Sequence, residues 1–217
     1  MKLREYQEKI AVQAACKLAS FGCCYLSMEC RTGKTITALH AADAFKAQSV
    51  LFISKLKAIP SVRTDYEALK PSFKMEAVNY ESVHKVFGKY DLIIIDEAHA
   101  LGAYPKPSKR TLEIKRICDG LPVLYLSGTP SPESYSQLYH QFWVCSFSPW
   151  KEYKTFYKWA KEYVTVRQKK VNGYLINDYS HADKSKIDRD MENLFISYSQ
   201  EQAGFETDIH EPYWKSR

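Results

Sequence analysis

The sequence predicts an α/β domain with a central, mainly parallel sheet flanked by helices, and a small helical and hairpin extension. Segments of strand length alternate with segments of helical periodicity, which implies right-handed crossovers between parallel strands. The uniformly apolar run at 92–95 is typical of a strand covered on both faces. Two polar motifs, at 28–35 and 96–99, directly follow predicted strands, where ligands bind in open α/β sheets.

The first third of the chain begins this alternation. Residues 5–21 place apolar side chains at helical spacing, and Gly22 is suited to end that helix. A short buried strand is predicted at 23–27. After a loop, residues 35–46 are rich in Ala and Leu and predict a helix.

The middle of the chain continues in the same way. Helices are predicted at 60–69, where Pro60 suits the first turn, and at 80–87. The further strands are predicted at 49–54, 74–79, 92–95 and 122–126.

The last third has a different character. Residues 150–163 interleave aromatic and basic side chains. The dipeptide Asn172-Gly173, between apolar segments at 164–166 and 174–176, predicts a β-hairpin. The remaining predicted elements are a charged helix at 183–193 and a strand at 194–198.

Composition excludes several classes of protein. With 217 residues, of which 45% are hydrophobic, the chain has enough apolar surface for one sizeable core and is not a disordered protein. No apolar run is long enough to span a membrane, and the N-terminus lacks the apolar core of a signal peptide. The six cysteines form no C-x-x-C pair. We therefore expect an intracellular, cytoplasmic protein with no membrane partner, and the net charge of +6 favours polyanionic partners.

The motif at 28–35 contains Gly33-Lys34-Thr35, the second half of a phosphate-binding loop. Gly33 lets the backbone approach phosphates, and the helix that follows directs unpaired N–H groups at them. Lys34 is placed to reach the β and γ phosphates, and the Thr35 hydroxyl to ligate magnesium. The alternative is an accidental Gly-Lys-Thr at a helix cap. Arg31 either contacts phosphate or nucleic acid, or is a solvated loop residue.

The second motif places Asp96 and Glu97 at the tip of the apolar strand 92–95. There Asp96 can hold magnesium opposite Thr35, and Glu97 can orient or deprotonate the attacking water. The alternative is a helix N-cap, since Asp is a good residue before a helix.

Three further polar residues are candidates for coupling this site to the rest of the protein. His99 either links the nucleotide site to other parts or is a structural histidine. Ser127 and Thr129 follow the strand predicted at 122–126 and lie where they can hydrogen-bond His99 or the acidic pair. The segment 127–130 is also a good turn on its own.

These motifs, in this order, resemble the first RecA-like lobe of superfamily 2 helicases and translocases, and more closely the Swi/Snf-type branch, which includes short phage helicases. The likeness covers roughly residues 3–145, although Met28 and Arg31 depart from common forms of the phosphate loop. The segments that carry it are 3–7, 29–35, 79–81, 96–99, 127–130 and 138–143.

The resemblance implies a RecA-like P-loop domain that binds ATP and Mg²⁺ and acts with a nucleic acid, most simply double-stranded DNA, in a phage or bacterial host cytoplasm. It implies catalytic roles for Lys34, Asp96 and Glu97, coupling roles for His99, Ser127 and Thr129, and magnesium ligation by Thr35 and Asp96. The residues that it assigns to the nucleotide are Arg4, Gln7 (the adenine reader), Arg31, Thr32, Gly33, Lys34 and Thr35.

The resemblance also divides the chain. It implies an ATP-binding lobe at 1–145, a helix and hairpin insertion at 146–193, and a strand and tail at 194–217 leading toward an absent second RecA-like lobe. That lobe, supplied in cis or in trans, carries an arginine finger in the family, so we expect an ATP hydrolase that is weakly active alone. The alternative is a lone lobe that serves as a nucleotide switch or as a DNA- or protein-binding module. A P-loop kinase or transferase has less support, because it has no use for segments 96–99 and 127–130.

The aromatic and basic segment allows two interpretations. Residues 151–170 hold seven Lys and Arg against two Glu, a net charge of +5, and bases can stack on aromatic side chains while lysines contact phosphates. Alternatively, Phe156, Trp159 and Tyr163 recur at helical spacing and pack on the core.

Overall fold

The computed structural model describes residues 3–204, which contain one six-stranded sheet and one separate hairpin. Every pairing in the large sheet is parallel, and the strand order is β3-β2-β4-β5-β1-β8. The strands are β1 (Cys23–Met28), β2 (Ser49–Ser54), β3 (Lys74–Asn79), β4 (Leu92–Asp96), β5 (Val123–Ser127), β6 (Arg167–Val171), β7 (Tyr174–Asp178) and β8 (Phe195–Tyr198). Strands β6 and β7 form the antiparallel hairpin.

Helices cover both faces of the large sheet. The helices are α1 (Glu5–Phe21), α2 (Lys34–Ala44), α3 (Ile59–Leu69), α4 (Lys109–Ile117), α5 (Gln137–Trp143), α6 (Phe156–Tyr163) and α7 (Lys184–Met191). Short 3₁₀ segments lie at Leu56–Ala58, Tyr80–Lys85 and Ala98–Leu101. No helix within 3–204 combines the length and the apolar character needed to cross a bilayer.

The core has two halves because successive strand residues point to opposite faces of the sheet. One half packs α1, α2 and α3 against residues such as Leu26, Phe52 and Ile94. The other packs α4, α5, α6 and α7 against the alternate residues, such as Tyr25 and Ile95. The result is a three-layer RecA-like α/β domain, which confirms the predicted fold class.

Most predicted elements are present, with a few differences. Strands β2 and β3 have the predicted bounds, and Gly22 ends α1 in the left-handed conformation. The segment predicted as a helix at 80–87 is a 3₁₀ segment, and α4 was not predicted. The hairpin turn is correct, but the prediction of its first strand at 164–166 is wrong.

The aromatic residues at helical spacing on α6 belong to the core. Phe156, Trp159 and Tyr163 are buried, with Trp159 fully so. Trp150 packs against the Trp159 ring at 5.2 Å between ring centroids. The core-packing interpretation is therefore confirmed for Phe156, Trp159 and Tyr163, and these three rings are not a stacking surface for bases.

The predicted boundaries at 145 and 193 remain a proposal. Trp150, Phe156 and Leu194 share one core cluster with residues of β1, β4 and β5. Residues 1–2 of the predicted lobe and 205–217 of the predicted tail lie outside the described residues.

Candidate functional site

Three strand tips carry the predicted site residues to one edge of the sheet. Ser27 at the end of β1 is level with Ser127 at the end of β5, and Leu126 of β5 is level with Asp96 of β4. Strand β5 lies between the other two, so the loop after β1 and the acidic pair after β4 are about 10 Å apart in the plane of the sheet. This spacing leaves room for a ligand between them, at the carboxyl ends where open α/β sheets bind ligands.

The loop after β1 leads directly into α2. Gly33 occupies the N-cap position with φ 75, and Lys34 is the first residue of the helix. The buried side chain of Thr32 closes the loop, because its hydroxyl donates to the Glu29 carbonyl at 2.7 Å. The free N–H groups of the first helical turn therefore point out of the sheet edge, as an anion site requires. Arg31 is exposed and also has a positive φ, 65.

Gln7 of α1 is fastened to this loop. Its side-chain N–H donates to the Thr32 carbonyl at 3.3 Å, and its side-chain oxygen accepts from the Arg4 backbone N–H at 2.9 Å. The Tyr6 hydroxyl donates to the same Thr32 carbonyl at 3.0 Å. The two Gln7 contacts use one amide hydrogen and one oxygen lone pair of its buried side chain.

Gly33 cannot be replaced by a residue with a side chain without a clash. A Cβ built on Gly33 would lie 2.2 Å from the Gln7 side-chain nitrogen, and φ 75 is unfavourable for an L side chain. Gly120 has nearly the same φ, 71, but a Cβ there meets nothing within 4 Å. The two glycines therefore differ in the space available to a side chain, whereas their φ angles are nearly the same.

We expect Gly33→Ala to lower stability by more than Gly120→Ala does. The left-handed backbone costs about 1–2 kcal/mol in each variant, and Gly33→Ala adds the displacement of Gln7. Thermal unfolding of the two variants measures this difference. Equal losses of stability would show that the loop tolerates the clash.

Asp96 is a buried carboxylate at the tip of β4, with 8% of its surface exposed. The Ser54 hydroxyl donates to its Oδ2 at 2.6 Å, and the Tyr80 hydroxyl donates to its backbone carbonyl at 2.6 Å. Burial raises the pKa of Asp96, while the Ser54 hydrogen bond and the charge of Lys34 oppose the rise. A buried carboxylate with an unfavourable ionised form is suited to bind a cation.

The pKa of Asp96 leads to a prediction of stability. The pKa of Asp96 is higher in the folded state than in the unfolded state. Its protonated form therefore stabilises the fold at a pH below the unfolded-state pKa, and this contribution is lost as the pH rises through the folded-state pKa. We expect Asp96→Asn, which keeps an acceptor for Ser54, to be more stable than the wild type at pH ~7 by about 0.5–2 kcal/mol without nucleotide or metal. Urea unfolding against pH tests this, and the difference should vanish below the usual carboxyl range near pH ~4.

Asp91→Asn is a contrasting control. Its carboxylate accepts two backbone N–H groups, from Gln48 at 2.8 Å and from Ser49 at 3.1 Å, so its replacement should destabilise the protein at pH ~7. If Asp96→Asn were destabilised as well, the ionised carboxylate of Asp96 would have to be favourable in the folded protein.

Glu97 follows in the left-handed conformation, with φ 55 and ψ 43. Its carboxylate lies 3.6 Å from the Lys55 ammonium and 3.3 Å from His99 Nδ1. A left-handed glutamate is strained by about 1–2 kcal/mol, and such strain is concentrated at functional sites. The partly exposed carboxylate therefore lies between the Lys55 ammonium and the His99 ring.

A chain of polar contacts runs from Glu97 to the turn after β5. His99 Nδ1 lies 2.9 Å from the Ser127 hydroxyl, which accepts the backbone N–H of Thr129 at 3.1 Å. Burial lowers the pKa of His99, so the ring is neutral at neutral pH. The structure thus brings His99 and Ser127 together, whereas Thr129 contributes its backbone and its side chain is exposed.

Lys34 reaches toward this same turn. A Cβ built on Gly128 would lie 3.6 Å from Lys34 Nζ, which places the ammonium group directly over the turn. Thr35 is half-buried one residue further along α2. Lys34 and Asp96 are close enough for the positive charge to affect the carboxylate.

Two residues that support the site had no signal in the sequence. Ser54 ends β2 and Lys55 follows it, and both reach the acidic pair because β2 is the neighbour of β4. Tyr80 supports the same strand tip from the 3₁₀ segment after β3, and it lies in segment 79–81, which carries the family resemblance. Only the pairing order of the strands brings Ser54 and Lys55 to Asp96 and Glu97.

The segment after β8 supports the loop from the other side. The Gln200 backbone N–H donates to the Glu29 carboxylate at 2.7 Å, and its side-chain N–H donates to the Cys30 carbonyl at 2.9 Å. The ring of Tyr198 stacks on Tyr6 with centroids 4.5 Å apart. The loop is therefore held between α1 and the end of β8.

A comparison with protein families gives one match. The model of the family described as the SNF2-related domain matches residues 18–193, a range that contains the loop, the acidic pair, the turn after β5 and the hairpin. A search of curated proteins finds none that matches the chain.

Proposed function

Because the chain belongs to the family of SNF2-related domains, whose members in general hydrolyse ATP with Mg²⁺, we propose that it is the ATP-binding lobe of a nucleic-acid-dependent ATPase that acts on double-stranded DNA. The observation that carries this proposal is the convergence of Lys34 and Asp96 on one edge of the sheet, on either side of the turn after β5. A cation on a helix N-terminus and a buried carboxylate are the two charges that a magnesium-bound triphosphate needs.

In this proposal the loop 29–35 holds the phosphates. The N–H groups at the start of α2 and the Lys34 ammonium donate to phosphate oxygens, and the Gln7 amide is within reach of the adenine edge. Tyr6 and Arg4 lie beside Gln7, with the Arg4 guanidinium 3.5 Å from the Tyr6 hydroxyl.

The residues present fit a magnesium ion that is shared with the nucleotide. The Thr35 hydroxyl and the Asp96 carboxylate are hard oxygen ligands of the kind Mg²⁺ prefers, and the ion neutralises developing charge on the phosphates when bound. Two protein ligands leave the other positions of an octahedral ion to water and to phosphate oxygens, so magnesium affinity should depend on bound ATP.

Glu97 is the proposed base for the attacking water. Its carboxylate is partly exposed at the strand tip, 3.6 Å from the Lys55 ammonium and 3.3 Å from His99 Nδ1. The contact between His99 and Ser127 joins the base to the turn that lies beneath Lys34. A movement of that turn would therefore change the position of Glu97, which is the coupling role proposed for His99, Ser127 and Thr129.

Calorimetric titration of the chain with ATP in the presence and absence of Mg²⁺ tests the proposal. We expect binding that strengthens with Mg²⁺ in the wild type and loses its magnesium dependence in Asp96→Asn. If the wild type bound no ATP, the chain would instead be a binding module that uses the fold alone.

We expect ATP turnover by residues 1–217 alone to be slow, even with duplex DNA present. The charge that develops on the γ phosphate in the transition state is stabilised by a cation on the side of the phosphate away from Lys34. An arginine finger in that position typically raises turnover by a factor of about 10³–10⁵. We propose that a second RecA-like lobe, in cis or in trans, supplies it. Phosphate-release assays with and without DNA check this, and turnover at about 1 s⁻¹ or faster by this chain alone would contradict it.

A further inference from the structure

The β6–β7 hairpin projects from the domain with its side chains in solvent. All residues of the two strands except Asp178 are exposed. Asn172 and Gly173 form a tight turn with positive φ, 48 and 86, as two-residue hairpin loops prefer. The tip carries large apolar side chains, Tyr174 at 76% and Leu175 at 68% exposure. The proposed nucleotide site does not use this element, and exposed apolar side chains in a group mark contact surfaces.

The base of the hairpin is fixed to the loop that begins at Ser127. The Ser134 hydroxyl donates to the Ser180 carbonyl at 2.7 Å, and the Ser136 hydroxyl donates to the Tyr179 carbonyl at 2.5 Å. The ring of Tyr179 packs edge-on against Phe156 of α6 with centroids 5.4 Å apart. The ribbon is therefore held in a defined position relative to the proposed coupling residues.

The inner face of the hairpin lies opposite the site. A groove of about 530 Å³ has Lys169, Ile176 and Asp178 on the hairpin side and His99 with Gln137 on the domain side. A ligand that enters this groove thus lies next to His99, the residue that contacts both Glu97 and Ser127.

Positive charge is concentrated here. Residues 151–170 carry a net charge of +5, against +6 for the whole chain. Lys169 is paired with Asp178 at 3.6 Å, whereas Arg167 and Lys170 have no ion-pair partner within residues 3–204. Lys161 is one turn after Tyr157, whose ring contacts Tyr179 at 5.9 Å, so it adds charge near the hairpin base.

We propose that the β6–β7 hairpin is a contact element for duplex DNA, with Arg167 and Lys170 on phosphates and Tyr174 at the leading tip. A two-stranded ribbon fits the major groove, which is about 12 Å wide, and unpaired cations favour a polyanion over a protein surface. This inference rests on the proposed function, because it names the part of the chain that holds the DNA. It assigns the DNA contact to the exposed ribbon and not to the aromatic residues of α6, which are buried.

The test compares two charge reversals. Arg167→Glu/Lys170→Glu alters the hairpin, and Lys46→Glu/Lys89→Glu makes the same change in net charge at exposed positions on the opposite edge of the sheet. Fluorescence anisotropy with a short labelled duplex, over a series of salt concentrations, gives the affinity. ATP titration and thermal unfolding of the same proteins show whether the nucleotide site and the fold are intact.

We expect the hairpin variant to bind duplex at least about tenfold more weakly at low salt. The slope of the logarithm of the binding constant against the logarithm of the salt concentration should be shallower by about 1.8, because each lost phosphate contact removes about 0.9 from that slope. The control should bind nearly as the wild type, and both variants should keep their ATP affinity. Equal weakening in both variants, or no weakening in the hairpin variant, would overturn the hairpin proposal while leaving the proposed function in place. A wild type that binds ATP but no DNA would overturn both claims about DNA and leave the nucleotide site.

Discussion

Replacing Lys34 with alanine is expected to weaken ATP binding by roughly 10- to 100-fold. Lys34 begins α2, and its ammonium lies over the turn after β5, where the phosphates are proposed to sit. A hydrogen bond to a charged group contributes about 1.5–3 kcal/mol, which corresponds to this range of affinities. Calorimetric titration with ATP and Mg²⁺ measures the loss directly.

The control for this change is Lys46→Ala. Lys46 is exposed beyond the other end of α2, so its removal changes the net charge equally without affecting the helix N-terminus. Lys34 is only half-buried and has no ion-pair partner within residues 3–204, so the fold should keep its melting temperature in both variants. Equal ATP affinity of Lys34→Ala and Lys46→Ala would exclude Lys34 from phosphate binding and would remove the main support for the nucleotide site.

The sequence was sufficient for the large sheet because each strand carries a local signal. The apolar runs of β2, β4 and β5 are bounded by polar or turn residues, so β2 has its predicted bounds and the bounds of β4 and β5 differ from the predicted ones by at most one residue. Helix α4 was missed because it buries only Thr111 and Ile114, and five of its nine residues are charged. Its start had a recognisable signal, since the Ser108 hydroxyl accepts the Thr111 N–H as an N-cap does.

The hairpin shows which of two signals decides a strand position. Apolar residues at 164–166 suggested the first strand, but the two-residue turn at 172–173 pairs Val171 with Tyr174 and sets the register from there. Counting back from the turn gives 167–171, a polar and basic strand. Turn geometry determines pairing in an isolated hairpin, because it has no buried face to select apolar residues.

The candidate site also contains residues that the sequence reveals and residues that it does not. Gly33-Lys34-Thr35 and the acidic pair are recognisable because their chemistry depends on adjacent residues in the chain. Ser54 contacts Asp96 across 42 positions, through the pairing of β2 with β4, and Gln200 reaches Cys30 across 170. Such contacts depend on tertiary register, and one sequence contains no local pattern that specifies it.

Glu97→Gln is expected to reduce the residual ATP turnover by about 10²–10⁴-fold while leaving ATP affinity unchanged. Glutamine has the shape of glutamate and keeps an oxygen that can accept from Lys55, but it cannot take a proton from water. Asp96→Asn, in contrast, should also alter the magnesium dependence of binding. Because turnover by this chain is expected to be slow, the measurement is a single-turnover assay with protein in excess over labelled ATP.

Lys55→Ala distinguishes the role of the Glu97 carboxylate as a base from the role of its ion pair with Lys55. The Lys55 ammonium lies 3.6 Å from the Glu97 carboxylate and is largely exposed, so its loss should slow turnover by less than about tenfold. We thus expect a large loss of turnover in Glu97→Gln and a small loss in Lys55→Ala, with ATP affinity unchanged in both. If Glu97→Gln kept wild-type turnover, the water would be activated by another group, and the left-handed strain at Glu97 would serve the positions of Asp96 and His99. If both variants lost turnover equally, the ion pair would matter more than the carboxylate, because only Glu97→Gln removes the proton acceptor.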